Sequence, residues 1–291
     1  MTASPAPPAP GPASGARLAE RIGEHVRGWG VEVERTLETE SSVVAFGTRG
    51  GEPVVLKVVR REGDEWRSGE VLEAFGGRGM VRVLAHVPGA MLLERLDPGT
   101  PLAEMALGGR DDEATAIMAE VMLRMSNPDS GLHPFSSIED WGRGFDHYLA
   151  GRDRPLPLGL VERARALFAE LAASQGERRL LHGDLQHYNV LFDRRRGWTA
   201  IDPKGVVGEA EYEVGAALRN PDHPELYASR KTVERRVGRY ADALGLDPGR
   251  VLGWGFAQAV LSVVWSVEDG HPVDAGSPVL QLARVILPML D

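Results

Sequence analysis

The chain has 291 residues, of which 43% are hydrophobic and 26% charged, and this composition suits a folded protein with a sizeable core. It contains no cysteine, which excludes disulfides, thiolate zinc sites and cysteine nucleophiles, and its net charge of −9 disfavours nucleic acid and favours a cationic partner. No apolar run reaches the roughly 18 residues of a membrane span, so we expect a cytoplasmic protein that binds neither membrane nor nucleic acid.

The amino-terminal part of the chain predicts a tail, a helix and a small sheet. Residues 1–15 are rich in Ala, Pro, Ser and Gly without apolar periodicity, so we expect a disordered tail. Apolar residues then recur at helical spacing over 16–29. Five runs separated by turn residues predict an antiparallel sheet, with strands at 31–37, 42–47, 53–59, 80–84 and 90–96. These elements predict a first lobe over residues 16–96.

Lys57 follows the apolar run Val54-Val55-Leu56 on a central strand of that sheet. A buried ammonium is costly unless it meets anions, so this lysine predicts a site where phosphate oxygens and a carboxylate converge. The alternative is an edge-strand lysine that discourages aggregation. The carboxylate should come from the helix predicted at 65–75, where Glu70 is the preferred candidate and Glu65 and Glu73 remain open.

Beyond Gly99 the apolar spacing is mostly helical, which predicts a mainly helical second lobe over residues 97–291. Helices are predicted at 102–107, 113–125, 141–149, 160–175, 253–268 and 278–290. The strand that ends at Leu96 continues directly into Asp97-Pro98-Gly99. We therefore expect residues 94–99 to form the hinge between the lobes.

The stretch from Leu180 to Phe192 places His182, Asp184 and Asn189 between two apolar runs, and a short apolar strand further along ends in Asp202. In phosphoryl transfer from ATP to a hydroxyl, a carboxylate accepts the hydroxyl proton, while an amide oxygen and a second carboxylate hold Mg²⁺. We therefore predict Asp184 as the base and Asn189 and Asp202 as Mg²⁺ ligands, with His182 packed beneath the turn. The alternative is a hairpin whose Asp and Asn only stabilise the turn.

These motifs resemble the aminoglycoside and hydroxyurea resistance kinases, and within them the streptomycin 6-phosphotransferases. The likeness is carried by the segments 92–99, 182–189, 201–205, 208–215 and 218–221 and extends over most of residues 30–290. Asp-Pro-Lys, ending at Lys204, is the feature that points to this subgroup. The resemblance implies an α/β (α+β), two-lobed protein-kinase-like fold with a small antiparallel lobe and a mainly helical lobe.

The resemblance also implies an ATP site between the lobes. The turn before the second strand lacks the glycines of protein kinases, so backbone amides and the hydroxyls of Ser41 or Ser42 would contact the phosphates. Adenine would meet the Glu94 carbonyl and the Leu96 amide in the hinge. The purine would lie between Val55 and Leu191, although both are equally good core residues.

An acidic cluster is the candidate acceptor surface. The carboxylates expected near the acceptor are Glu209, Glu211, Glu213, Glu268 and Asp269, and Lys204 is a further candidate contact. In a solvated loop these charges would be ordinary, and Glu213 has the alternative of bracing the catalytic turn. The function implied is ATP- and Mg²⁺-dependent phosphorylation of a small-molecule hydroxyl, with streptomycin first. Hydroxyurea, an amino sugar or a metabolite are alternative acceptors, and a nucleotide-binding pseudokinase is the alternative from another class.

Overall fold

The computed structural model describes residues 12–125, 135–221, 223, 226, 229–273 and 276–290. The expected tail lies outside the described residues as far as residue 11. Helix α1 (Pro12–Gly28) therefore includes the last residues assigned to that tail. The apolar side chains of α1 from Leu18 onward pack on one face of the first sheet, together with Val31 and Val43. This packing is what the helical spacing predicts.

The first lobe is a five-stranded antiparallel sheet in the order β1-β2-β3-β5-β4. Its strands are β1 (Glu32–Glu38), β2 (Ser42–Arg49), β3 (Glu52–Val59), β4 (Val83–Val87) and β5 (Ala90–Glu94). The central position of β3 matches its mostly apolar sequence, which only Lys57 interrupts after Pro53. Strand β4 begins three residues later than predicted, because the Val81 N–H bonds to the Ala200 carbonyl of the other lobe.

The helix predicted at 65–75 is divided into two parts. A 3₁₀ turn occupies Asp64–Arg67, and helix α2 (Ser68–Phe75) follows, ending at Gly76 in a left-handed conformation. The apolar face of α2 is buried against the core. Its first residue, Ser68, donates from Oγ to the Pro203 carbonyl at 2.7 Å. This bond ties α2 to the loop that follows Asp202.

The second lobe is mainly helical, as predicted. Its helices are α3 (Leu102–Leu107), α4 (Asp111–Met125), α5 (Ile138–Ala150), α6 (Leu158–Ala173), α7 (Ala210–Leu218), α8 (Arg230–Leu244), α9 (Pro248–Glu268) and α10 (Pro278–Ile286). Helix α9 is the central one and packs on α5, α6, α7 and α10. Of the described helices, α9 is the one with the length and apolarity to cross a membrane, and two thirds of that stretch is buried, as in a core helix.

Short strands position the loops that carry the motif residues. Strand β7 (Arg178–Leu181) pairs with β10 (Val206–Glu209), and β8 (Val190–Asp193) pairs with β6 (Pro98–Pro101) and β9 (Gly197–Ala200). The motif 182–189 thus lies between β7 and β8, and Asp202 lies between β9 and β10. The two-lobed α/β fold predicted from the sequence is confirmed, while the lobe boundary at residues 96 and 97 stays a prediction.

Candidate active site

His182 is fully buried beneath the catalytic turn, as expected. Its Nε2 lies 2.8 Å from the Ile201 carbonyl, and its Nδ1 accepts the Asp184 N–H at 3.2 Å. Burial lowers the pKa of this imidazole, so the neutral ring donates from Nε2 and accepts at Nδ1. One side chain therefore joins the turn at Asp184 to the strand that leads to Asp202.

Glu213 braces the same turn from α7. Its carboxylate accepts the N–H groups of His182 at 2.6 Å and of Gly183 at 3.1 Å. Burial raises the pKa of Glu213 to about 7, against the opposing effect of those hydrogen bonds. Gly183 has φ 84° and a Cβ there would lie 2.6 Å from the Trp141 ring, so the turn accepts only glycine. Of the two roles predicted for Glu213, the structure therefore shows the brace of the catalytic turn and not a contact with the acceptor.

Asp184, Asn189 and Asp202 are neighbours in space. Asn189 Nδ2 donates to the Asp184 carbonyl at 2.9 Å, which leaves its amide oxygen as the available ligand atom, and the Asn189 carbonyl accepts the Ile201 N–H. Asp202 has φ 58°, the one positive φ of a non-glycine residue in the described part of the chain. Such a conformation is costly and concentrates at functional sites. An amide oxygen and a carboxylate form the hard oxygen donor set that Mg²⁺ prefers.

Lys57 lies inside the sheet with 4% of its surface exposed. Its Nζ is 2.7 Å from Asp202 Oδ1 and 2.7 Å from Glu65 Oε2. Burial alone would disfavour the ammonium, but Asp202 and Glu65 outweigh it and raise the pKa of Lys57. The prediction that Glu70 pairs with Lys57 is wrong, because the 3₁₀ turn that contains Glu65, and not α2, presents the carboxylate to the lysine. Glu70 pairs with Arg67 near the surface instead.

A cavity of about 260 Å³ opens between the lobes at Lys57 and Asp202. Residues expected to enclose a nucleotide line it, namely Val55, Glu94, Leu96 and Leu191. The Glu94 carboxylate accepts the Arg82 N–H at 2.8 Å and pairs with Arg196, which fixes the hinge.

Ser41 and Ser42 lie outside the lining of that cavity. Ser42 is buried, with its Oγ 2.9 Å from Thr39 Oγ1, while Ser41 is exposed. The expected hydroxyl contact is therefore corrected: Ser42 closes its own turn, because its hydroxyl meets Thr39 within the same loop.

The comparisons with known proteins decide the family. A family model described as aminoglycoside/hydroxyurea antibiotic resistance kinase matches residues 27–270. The chain belongs to this family. It is therefore a small-molecule phosphotransferase, and the resemblance inferred from its motifs is confirmed.

Individual relatives of this kinase include enzymes acting on streptomycin. A streptomycin 3''-kinase from Klebsiella pneumoniae is 34% identical over 242 residues, covering 80% of this chain and 87% of that protein. A streptomycin 6-kinase from Streptomyces griseus is 34% identical over 220 residues, covering 72% and 69%. The structure of a thermostable mutant of aminoglycoside phosphotransferase APH(4)-Ia with ADP and hygromycin B has a TM-score of 0.63 at 18% identity, covering 90% of this chain and 96% of that chain. This last similarity concerns the fold.

Two further carboxylates of the acidic cluster, Glu209 and Glu211, lie at the junction of β10 and α7. Glu209 is 2% exposed and accepts hydrogen bonds from Arg250, Trp254 and the Gly176 N–H. Pairing of β10 with β7 places it inside the lobe, so its role is structural. Glu211 lines a separate cavity of about 410 Å³. The expectation that Glu209 faces the acceptor is wrong, because it extends from a paired strand and is bound by Arg250 and Trp254. For Glu211 the acceptor contact stays a prediction.

Helix α9 carries the remaining candidates at its end. Asp269 follows Ser262 and Ser266 at helical spacing, so it shares their side of α9. Both serines line a cavity of about 280 Å³. Burial raises the pKa of Glu268, and its charged neighbours are His147 of α5, which opposes the rise, and Asp269, which adds to it. Lys204 is half-buried beside the turn, and its N–H donates to the His182 carbonyl at 2.9 Å.

Arg219 belongs to the site, although the sequence pattern predicted no function for it. Its Nη2 donates to Asp184 Oδ1 at 3.0 Å. It also lines the cavity that contains Ser262 and Ser266. The available signal was its place in Leu-Arg-Asn-Pro, residues 218–221, which carried only a family likeness. Arg219 thus connects Asp184 to this cavity.

Proposed function

We propose that this kinase transfers the γ-phosphoryl group of ATP to a hydroxyl of a small cationic acceptor, with the 6-hydroxyl of streptomycin as the leading candidate. The observation that carries the proposal is the convergence of Lys57 and Asp202 at the inter-lobe cavity, beside the turn that holds Asp184 and Asn189. A cytoplasmic location, where ATP is abundant, belongs to the same proposal.

The residues divide the reaction between them. Lys57 would meet phosphate oxygens, and Asp202 and Asn189 would hold Mg²⁺, which neutralises phosphate charge when bound. Asp184 would accept the proton of the acceptor hydroxyl. The hydroxyl oxygen would form the new bond to the γ-phosphorus, while the bond between the γ-phosphorus and the oxygen of the leaving ADP breaks. Most of the rate enhancement would come from positioning and charge stabilisation, because the transferred group needs little covalent help.

The choice of acceptor rests on charge and on the relatives. Streptomycin carries two guanidinium groups, and the net charge of −9 favours a polycation. Two relatives are streptomycin kinases with different positional names. The 6-hydroxyl is proposed because Asp202-Pro203-Lys204 resembles that subgroup. With Glu209 bound to Arg250 and Glu213 to the catalytic turn, Asp184 and Asp269 are the described carboxylates that we assign to the acceptor side.

A first experiment tests the reaction and its base. Purified protein with MgATP should form ADP with streptomycin, and NMR of the product should locate the phosphate on the 6-hydroxyl. Asp184→Asn should lower kcat by about 10²- to 10⁴-fold, because the general base is lost, and keep MgATP affinity within a few-fold. Undiminished turnover in that variant would remove Asp184 as the base. Bound nucleotide without turnover on any acceptor would indicate a pseudokinase.

A second experiment tests the acceptor class. Exposed ion pairs contribute only about 0.2 to 1 kcal/mol each and weaken with salt, so the acceptor KM should rise with ionic strength more steeply than the KM for MgATP. Hydroxyurea, which is small and neutral, serves as the control acceptor. Equal use of hydroxyurea and streptomycin, or a flat acceptor KM from low to high salt, would replace the aminoglycoside with another small acceptor.

A further inference from the structure

Arg219 is the residue at the C-terminal end of α7, and its side chain reaches the carboxylate that we assign as the base. Nη2 donates to Asp184 Oδ1 at 3.0 Å, and the two side chains are 13% and 25% exposed. Charge-assisted bonds to an enclosed carboxylate are stronger and more directional than exposed pairs. The contact therefore restricts how the Asp184 side chain can turn.

The guanidinium of Arg219 is itself held from α9. Its Nη1 donates to Gln258 Oε1 at 3.2 Å, and Gln258 Nε2 donates to the Tyr212 carbonyl. Gln258 is buried, and a Cβ added to Gly215 would lie 2.5 Å from its amide carbon. The amide thus has little room to move, and both ends of the Arg219 fork are occupied in one geometry.

The backbone around Arg219 is fixed from α8. Arg236 Nη1 lies 2.9 Å from the Asn220 carbonyl and 3.5 Å from the Leu218 carbonyl, the two residues that flank Arg219. Arg236 is 1% exposed and bound by both oxygens of Asp111. A buried, paired guanidinium of this kind is costly to displace. Arg219 therefore has a preorganised main chain as well as a preorganised side chain.

We propose that Arg219 is the positioning residue of the base: it holds Oδ1 of Asp184, so that Oδ2 is presented to the acceptor hydroxyl. This inference rests on the proposed phosphotransfer. A displacement of the reacting group by 1 Å can cost about 10²-fold in rate. Because Arg219 contacts the base and not Lys57 or Asp202, its loss should lower kcat while MgATP binding stays intact.

The test compares Arg219→Ala, Arg219→Lys and a matched control, Arg230→Ala, which removes an exposed arginine of α8 paired with Glu234. Arg219→Ala should lower kcat about 10²-fold, with the MgATP Kd and the acceptor KM within about threefold of wild type. Arg219→Lys keeps the charge without the fork and should have an intermediate kcat. Arg230→Ala should behave as wild type.

Chemical rescue adds a readout that a purely structural role would not change. Guanidinium chloride at millimolar concentration should restore part of kcat in Arg219→Ala, because the added cation occupies the emptied contact with Asp184. Sodium chloride at equal ionic strength should not, and guanidinium should not restore Asp184→Asn. Wild-type kcat in Arg219→Ala would overturn the inference, and so would a lowered kcat that guanidinium does not restore.

The other outcomes are equally decisive. A raised acceptor KM with unchanged kcat would assign Arg219 to acceptor binding and overturn the positioning role. If Arg219→Ala does not fold, Arg219→Lys decides: kcat lowered at least tenfold with wild-type MgATP affinity supports the role, and wild-type kcat overturns it. If the wild type phosphorylates no acceptor, the proposed function fails separately, and a crystal structure of Arg219→Lys decides. An unmoved Asp184 carboxylate there overturns the inference, and a turned one supports it.

Discussion

Glu65 and Glu70 offer a matched pair of substitutions that tests how Lys57 is held. Glu65→Gln removes one of two carboxylates, each 2.7 Å from a buried ammonium, whereas Glu70→Gln removes a partner of Arg67 near the surface. Hydrogen bonds to charged groups contribute about 1.5 to 3 kcal/mol, and Asp202 remains after the first change. The second should cost about 0 to 1 kcal/mol, as partly exposed pairs do.

These energies predict a difference that steady-state kinetics can resolve. Since 1.4 kcal/mol is a factor of ten, Glu65→Gln should lower kcat/KM for ATP by about 10- to 100-fold, and Glu70→Gln by less than about fivefold. The assay is ADP release at saturating acceptor over a range of MgATP concentrations, with thermal unfolding to show that both variants fold. Equal losses, or a larger loss in Glu70→Gln, would refute the reasoning from the 3₁₀ turn.

Four further substitutions test separate parts of the molecule. Asp202→Ala should abolish Mg²⁺-dependent nucleotide binding in calorimetry, while Lys57→Ala should weaken MgATP binding yet keep the metal requirement. Unchanged binding and turnover in both variants would show that the nucleotide site has been assigned to the wrong residues. The folded protein holds a proton on Glu213 up to pH about 7, whereas the unfolded chain releases it near 4.5. The free energy of unfolding of wild type relative to Glu213→Gln should therefore fall by about 3 kcal/mol from pH 4.5 to 7 in denaturant titrations, and a rise would contradict this sign. Glu209→Gln should cost about 3 kcal/mol in unfolding free energy without changing the acceptor KM, because a buried ion pair is broken; a raised KM would return Glu209 to the acceptor site.

Two carboxylates that the sequence assigned to acceptor binding, Glu209 and Glu213, stabilise the fold instead. Glu209 holds Arg250, and Glu213 holds the catalytic turn. Because both carboxylates already have partners within the protein, neither is available to a cationic acceptor. The acceptor side that we propose instead combines Asp184 with the hydroxyls of α9, and Arg219 holds the Asp184 carboxylate there.

The sequence by itself determined the elements and the residues of the catalytic turn. Apolar runs on both sides of His182 to Asn189 define buried strands at fixed distances, so the polar residues between them have to lie together. The sheet of five strands followed from β-branched runs and turn residues in the same way. Lys57 was identifiable because a lone ammonium in a central strand needs anions nearby. All these inferences use distances of a few residues along the chain.

The tertiary structure decided which distant groups pair. Glu65 and Glu70 are separated by little more than one helical turn, and the 3₁₀ conformation of Asp64–Arg67 selected the former. Arg219 meets Asp184 across 35 residues of chain. Such pairings depend on how whole helices and strands pack, since burial fixes orientation and desolvation then requires a partner. The spacing of residues along the chain specifies neither burial nor the packing of helices and strands. The catalytic residues were therefore predictable from the sequence, whereas the contact of Arg219 with Asp184 was not.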